Sequence, residues 1–377
     1  MDAVAFRRLM PVTERWIFLD HAAVAPLPAP SRDAMTAWAD GMARDGVLAV
    51  SGWMRRVEEI RQAFARLLRA EAPDVAFIKN TSEGIGIVAE GFPWKPGDNL
   101  VTSADEYPAN VYPWLNLASR GVEVRRVPSR QGRVVPDDLF ATVDARTRLL
   151  TLSHVEFATG YRADLATIGS FCRERGLFFF VDAIQGLGIL DLDVSSLPID
   201  ALAADSHKWL LGPEGSGVFW IRREWVERLH PVGVGWNSVV GAWEFSTIDF
   251  RLKPHAGRWE SGSLNMPGIM AMGRSLDLLQ EVGVPAITAR IKELTDHFCE
   301  TIGPSGWRVF SSRAANEWSG IVSLEAPPNA DLPQTMRWLR DRGVVVNLRG
   351  GRLRLSPHLY NTIDEMDRLA NLLGERR

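Results

Sequence analysis

Leu177-Phe178-Phe179-Phe180-Val181-Asp182-Ala183-Ile184-Gln185-Gly186 is the stretch that decides the fold. Five successive apolar residues mark a strand covered on both faces, because a strand with one wet face alternates apolar and polar positions. The run stops abruptly at Asp182, and a carboxylate closing a buried strand needs a cationic partner. The next apolar segment, Ala201-Leu202-Ala203-Ala204, runs through Asp205 into Ser206-His207-Lys208-Trp209-Leu210 and the glycine-rich return Gly212-Pro213-Glu214-Gly215-Ser216-Gly217. Ligands of open α/β sheets sit at the carboxyl ends of the strands. Two consecutive strands therefore deliver an aspartate and a lysine to one edge.

Taken alone, Lys208 reads as a surface lysine whose stem lies along a strand end. The strand before it changes that reading. Burial and neighbouring dipoles lower an ammonium pKa, and a neutral amine attacks a carbonyl to form a Schiff base. Lysine and aspartate together suit a cofactor with an aldehyde and a protonatable ring nitrogen, and pyridoxal 5'-phosphate has both.

Outward from this centre, strand-like and helix-like segments alternate. Trp53, Met54, Val57, Ile60, Phe64, Leu67 and Leu68 recur at spacings of three and four and predict an amphipathic helix. Short apolar strands are predicted around residues 100–101, 122–124, 149–152, 178–181 and 218–221. The alternation predicts an α/β fold with a mainly parallel sheet and helices on both faces. After about residue 270 the texture changes to long polar helices near 286–301 and 332–341, and to a hairpin of 344–346 with 353–355 turned at Gly350-Gly351. We expect a large domain over 18–270 and a smaller α+β domain formed by 1–17 and 271–377.

Composition narrows the function classes. A chain of 377 residues has room for a large and a small domain. A formal net charge of -3 with 24% charged residues indicates neither a nucleic-acid footprint nor a membrane-seeking face. Cys172 and Cys299, the two cysteines, give no disulfide framework. Residues 1–16 carry charges throughout and lack a signal-like apolar core, and no apolar stretch is long enough to span a bilayer, so a cytoplasmic location is the expectation. The seven histidines show no metal-ligand spacing. Gly84-x-Gly86 and Gly215-x-Gly217 do not complete a dinucleotide fingerprint.

Asp182-x-x-Gln185, Ser206-His207-Lys208 and the glycine-rich return together resemble the class V aminotransferase group of fold-type I pyridoxal-phosphate enzymes. That group includes cysteine desulfurases, selenocysteine lyases, kynureninases and isopenicillin N epimerase-like proteins. The likeness runs from Phe18-Leu19-Asp20-His21-Ala22-Ala23 to Leu353-Arg354-Leu355-Ser356-Pro357-His358-Leu359-Tyr360-Asn361-Thr362. It implies a seven-stranded sheet, with Lys208 as the Schiff-base lysine and acid/base at Cα. Asp182 then keeps the ring nitrogen protonated, Gln185 bonds the phenolic oxygen, and His154 stacks on the ring and relays protons. Thr81 and Ser82 match the phosphate-binding positions, where a helix N-terminus forms an anion site, although the residues alone read equally as a helix cap. Ser206 and His207 are implied, more loosely, as helpers at the phosphate.

Arg354 matches the arginine for the substrate carboxylate, suited by its planar guanidinium; by alternation alone it lies on a solvated strand face. Asn110, in Glu106-Tyr107-Pro108-Ala109-Asn110, is implied as substrate-binding. Ser263 stands where the family has a threonine reaching the phosphate of the neighbouring subunit, which implies a homodimer with shared sites. Without the resemblance, His154 is an ordinary packed histidine and Ser263 an ordinary loop serine.

The departures bear on the reaction. No cysteine lies between Asp341 and Arg354, where desulfurases carry their nucleophile, and Phe157 and Tyr107-Pro108 stand where desulfurases tend to have polar residues. These features look more like the isopenicillin N epimerase-like branch. The implied activity is deprotonation of an amino acid at Cα leading to transamination or lysis. The alternatives are a racemase or epimerase, a desulfurase-like lyase without the loop cysteine, and a non-catalytic scaffold. Trp114, Trp236 and Trp259 suggest an apolar or aromatic side-chain pocket.

Overall fold

The computed structural model describes residues 1–375. Phe178–Asp182 forms a strand in which every residue is buried. Its side chains alternate between faces, as the period of two requires: Phe179 and Val181 join one apolar cluster, Phe178 and Phe180 another. Each phenylalanine withdrawn from water contributes about 1.5–3 kcal/mol, so three in succession hold this strand at the centre of the sheet.

In chain order the large sheet contains β1 (Val75–Ile78), β2 (Asn99–Ser103), β3 (Glu123–Val127), β4 (Thr147–Ser153), β5 (Phe178–Asp182), β6 (Ala201–Asp205) and β7 (Gly217–Ile221). Their order across it is β1-β7-β6-β5-β4-β2-β3. β7 runs antiparallel to both neighbours and the other pairs are parallel. The sheet is thus the mainly parallel, seven-stranded one implied by the resemblance. The predicted amphipathic helix is Val50–Leu68, with Val57, Ile60 and Phe64 buried.

A second sheet, β8 (Arg308–Val309), β9 (Val322–Glu325), β10 (Asn347–Arg349) and β11 (Arg352–Leu355), has the order β10-β11-β9-β8 and is antiparallel throughout. Its core contains Leu294, Phe298, Val322, Leu324, Leu353 and Met366. Gly350 and Gly351 turn the hairpin with φ of 54° and 72°, the positive values that a two-residue type I′ turn demands.

That turn sets a register in which Asn347 faces Arg354. Continuing it would bring residue 345 opposite Ser356, but the Ser356 N–H already donates to the Leu19 carbonyl at 2.7 Å. The expected 344–346 arm is therefore diverted: Val344–Val345 pairs in parallel with Ile17–Phe18. The N-terminal segment is divided in turn, with Phe6 and Met10 in the core of the large sheet and Leu19 in that of the small one. Along the helix Val284–Ile302, Ile287 and Ile291 pack into the large core, Leu294 and Phe298 into the small one. A helix of this length spans about 28 Å, enough to serve two cores.

Candidate active site

Strand register assembles the site. Ser153 pairs with Asp182, Asp182 with Ala203, and Asp205 and Ile78 both with Gly217. The carboxyl ends of β1, β4, β5 and β6 therefore lie side by side. A cavity of about 260 Å³ opens there, lined by Thr81, Ser82, Asp182, Gln185, His207 and Lys208 on the large-sheet side, with Arg349 and Arg354 from the small sheet. A larger cavity of about 600 Å³ lies elsewhere, against Trp38, Trp53, Trp236 and Trp243, and none of the strand-end groups enters it. We place the chemistry in the smaller one, where the convergent ionisable groups are.

Lys208 is buried and forms no ion pair within 4 Å among the described residues. Burial lowers its amine to about 8; Asp182 pulls it back up and Arg354 pushes it further down. The ammonium lies 5.5 Å from the Tyr107 ring centroid, a contact with the negative ring face. A folded value below the ordinary 10.5 means the unfolded chain binds more protons between the two. The lysine's penalty against folding accordingly builds as pH falls through that window and is complete below it. The neutral amine is the reactive form, so the rate at which the cofactor-free protein captures an aldehyde should rise with pH through about 8 and level off above 9. Stopped-flow absorbance with pyridoxal phosphate measures it; a rate flat from pH 6 to 9 would mean that the Lys208 ammonium is not the titrating group.

Asp182 is likewise buried. One of its oxygens accepts from the Ile184 N–H at 3.0 Å, and no other hydrogen bond reaches the carboxylate among the described residues. Burial raises it to about 6 despite that N–H and the Lys208 charge. Gln185 is fixed at both ends of its amide, donating from Nε2 to the Ala22 carbonyl at 3.0 Å and accepting from Trp209 Nε1 at 2.8 Å. One Nε2 proton remains for another acceptor. His154 follows β4, its N–H donating to the Asp182 carbonyl at 2.8 Å. Burial, then the Arg162 charge, drops its imidazole to about 3, so the ring is neutral, and Nδ1 has no hydrogen-bond partner among the described residues. The ring lies against Gly186, where an added Cβ would meet Nδ1 at 2.4 Å.

At the opposite end the helix Thr81–Gly91 begins. Its cap is neither Thr81 nor Ser82 but Asn80, whose side chain accepts from the Glu83 N–H at 2.9 Å. The two hydroxyl residues occupy the first turn, where backbone N–H groups lack intrahelical partners. Thr81 Oγ1 accepts from the Asp205 N–H at 3.0 Å, locking the helix start to the strand that carries the lysine. Gly84 permits the approach, since a Cβ there would stand 2.4 Å from that of Ala203. His207 Nδ1 is 3.1 Å from an Asp205 oxygen but out of line for a hydrogen bond.

Arg354 is 1% exposed. It donates from Nη2 to Asp20 at 3.0 Å and from Nη1 to the Phe157 carbonyl at 2.7 Å, and its Nε has no hydrogen-bond partner among the described residues. Burial lowers the guanidinium and raises Asp20, and the pair's attraction opposes both changes. Arginine does not give up its proton in proteins, so the pair is ionic. A solvated strand face is thereby ruled out for Arg354.

Four expected residues do not line the cavity: His154, whose ring packs against Gly186, and the three that follow. Ser206 is fully buried with Oγ on the Pro213 carbonyl and Ser216, pinning the glycine-rich return. Asn110 is fully buried too: Nδ2 donates to Glu106, while Oδ1 accepts from Trp114 and Thr151. Its polar atoms are engaged with these groups, and it does not line the cavity. Ser263 borders the larger cavity and a small cleft beside Gly215. The tryptophan expectation also changes, since Trp114 is core while Trp236 and Trp259 lie away from Lys208. The aromatic wall is instead Tyr107 and Phe157, edge to face with centroids 5.2 Å apart. Arg349 was not singled out in the sequence; the signal that could have found it is its place directly before the Gly350-Gly351 turn, beside Arg354's strand. Glu106 was missed as well. It accepts from the Ser153 N–H at 2.7 Å and is raised by burial to about 7.

The groups left open fit pyridoxal phosphate. Among the described residues the buried Asp182 has no cation within ion-pair reach, Lys208 lacks a counter-charge, a neutral imidazole follows the strand that neighbours Asp182's, and a helix start offers N–H groups and hydroxyls for a phosphate. No group of three or more His, Cys, Asp or Glu able to hold a metal occurs among the described residues.

Comparison with known proteins agrees. The family description "Aminotransferase class-V" matches residues 17–369. A probable cysteine desulfurase of Methanothermobacter thermautotrophicus is 30% identical over 98% of this chain and 96% of its own length. Isopenicillin N epimerase of Streptomyces clavuligerus is 31% identical over 84% of this chain and 83% of its own. Among solved structures, the cystine C-S lyase C-DES with its product cysteine persulfide superposes with a TM-score of 0.91 at 22% identity, covering 97% of this chain and 99% of that one. The fold, the constellation at the strand ends and the family match converge: the chain belongs to the class-V aminotransferase family and is a pyridoxal-phosphate-dependent enzyme.

Proposed function

We propose that this enzyme removes the Cα proton of an α-amino acid, leading to transamination or elimination, with Lys208 as both the cofactor's attachment point and the proton carrier. The observation that carries the reading is the single cavity joining an amine lowered to about 8, a buried carboxylate and a buried guanidinium. When bound, pyridoxal phosphate supplies an electron sink for negative charge at Cα. Asp182 holds a proton at the ring nitrogen, His154 packs against the ring face, and Gln185 Nε2 donates to the ring oxygen. Thr81, Ser82 and the helix N-terminus hold the phosphate, with His207 at its margin. Arg354 binds the α-carboxylate and so turns Cα toward the Lys208 amine, which is free to take and return a proton at that carbon.

A persulfide carried on the enzyme itself has no thiol to form on in this cavity. Cys172 and Cys299 lie outside the cavity, the first raised by burial and the second pushed up to about 11. Epimerisation, the activity named for the Streptomyces relative, begins with the same proton removal and is the second reading; the apolar wall of Tyr107 and Phe157 favours it over desulfuration. An absorbance spectrum of the protein with pyridoxal phosphate, before and after a panel of L- and D-amino acids, tests the reading. A cofactor band that a few amino acids perturb supports it, and chiral product analysis separates the two courses. A band indifferent to every amino acid would leave a cofactor-binding scaffold.

We also propose a homodimer. Trp243, Phe245, Ile248 and Phe250 are 58, 71, 95 and 71% exposed, an apolar concentration that a monomer rarely leaves open. Ser263 lies between this region and the cleft beside Gly215, suitably placed to serve a partner's phosphate site. Sedimentation of a monomer at micromolar concentration would remove this part. Two free cysteines support a cytoplasmic setting, which cell fractionation tests. No helix among the described residues is long and apolar enough to cross a membrane.

A further inference from the structure

Arg349 is a cation of the cavity for which the reading above has no use. It lines the cavity with Arg354, yet no carboxylate lies within 4 Å of it among the described residues. Its Nη1 donates to Asn347 Oδ1 at 3.0 Å and to the Leu348 carbonyl at 2.8 Å. Asn347 in turn donates from Nδ2 to Asp20 at 2.5 Å, and the other Asp20 oxygen accepts from Arg354. One carboxylate and one amide therefore brace two guanidiniums, and the single negative charge is bonded to Arg354.

The other acids of the cavity do not make up the difference. Asp182 has the cofactor nitrogen to serve, Asp205 faces His207, and Glu214 forms no ion pair among the described residues. The charge of Arg349 is felt at Lys208, Arg354 and Asp20, so it sits at the substrate end and not beyond it. An uncompensated, partly buried guanidinium held by fixed hydrogen bonds is a preorganised anion site. Beside it, the Tyr107–Phe157 wall offers a path for a short apolar chain between Cα and that charge.

We propose that Arg349 binds a second acidic group, so that the substrate is an α-amino acid whose side chain ends in an anion such as a carboxylate or sulfinate. The inference rests on the amino-acid reading above and adds a substrate class to it. Arg349 then selects the side chain and Arg354 the α-carboxylate.

Calorimetric titration of the holoenzyme with matched ligands tests this: L-aspartate against L-asparagine, L-glutamate against L-glutamine, and L-alanine as a monocarboxylic reference. At least one acid should bind about 10-fold or more tightly than its amide, as expected for one charge-assisted bidentate contact. In Arg349→Gln that ratio should fall to about one while the cofactor's absorbance stays in place. A wild-type ratio near one, with alanine still bound, overturns the assignment of Arg349 and leaves the amino-acid reading standing. A ratio that survives in Arg349→Gln overturns it equally. Holoenzyme that binds none of the five overturns the amino-acid reading and this inference together.

Discussion

Lys208→Ala is expected to abolish borohydride trapping of the cofactor and to lower turnover by at least about 10³-fold, within the range for loss of a positioned acid/base. The reason is local. No other lysine lines the cavity among the described residues, so neither the covalent attachment nor the proton transfer has a substitute. The variant should still bind pyridoxal phosphate reversibly, because the Thr81 helix start and Asp182 stay bonded to the sheet independently of the lysine. Absorbance before and after borohydride, with mass analysis of the trapped peptide, reads the result. A wild-type spectrum in Lys208→Ala would show that the attachment lies elsewhere in the chain.

Arg354→Leu should cost both stability and substrate affinity, and the two losses are separable. Removing one partner of a buried ion pair leaves the other charge stranded, at about 3–5 kcal/mol. Here the stranded group is Asp20, which keeps only Asn347 as a side-chain donor. Its folded pKa is already raised by burial and will rise further without the guanidinium. The folded variant then binds more protons than the unfolded chain above the ordinary carboxylate range, so its deficit shrinks as pH falls. Adding Asp20→Asn should restore most of the denaturation midpoint, since the charge is gone. It should not restore amino-acid affinity, expected to fall about 10²-fold for the loss of two hydrogen bonds to a charged group. Recovery of affinity in the double variant would mean that Arg354 serves only as the counter-charge of Asp20.

Both residues could be chosen from the sequence: Lys208 through the periodicity of the strands around it, Arg354 through the family resemblance alone, since alternation put it on a solvated face. A double-sided strand can be read from Phe178–Val181 alone, because burial on both faces leaves no polar position to break the run. The residue that ends such a run stands at a strand terminus, so Asp182 and Lys208 announced themselves. Thr81 and Ser82 were located by their helix start, although the cap proved to be Asn80. Where Asn110 and Ser206 point was not legible, because the direction in which a side chain points is set by its neighbours. Asn110 turns to Trp114, Thr151 and Glu106, and Ser206 to the return at Pro213. Linear spacing carries no trace of those partners.

The sequence by itself determined the class of fold, the edge of the sheet that bears the chemistry, and the amine and carboxylate at its centre. These follow from the order of apolar runs and from what ends each run, both local properties of the chain. Only the tertiary structure decided that Arg354 is buried against Asp20, that Asn347 braces Arg349 beside it, and that both cysteines stand away from the cavity. Asp20 and Arg354 are 334 residues apart in the chain. A contact across that distance depends on how two cores meet, and on the shared register of strands that no short-range pattern encodes.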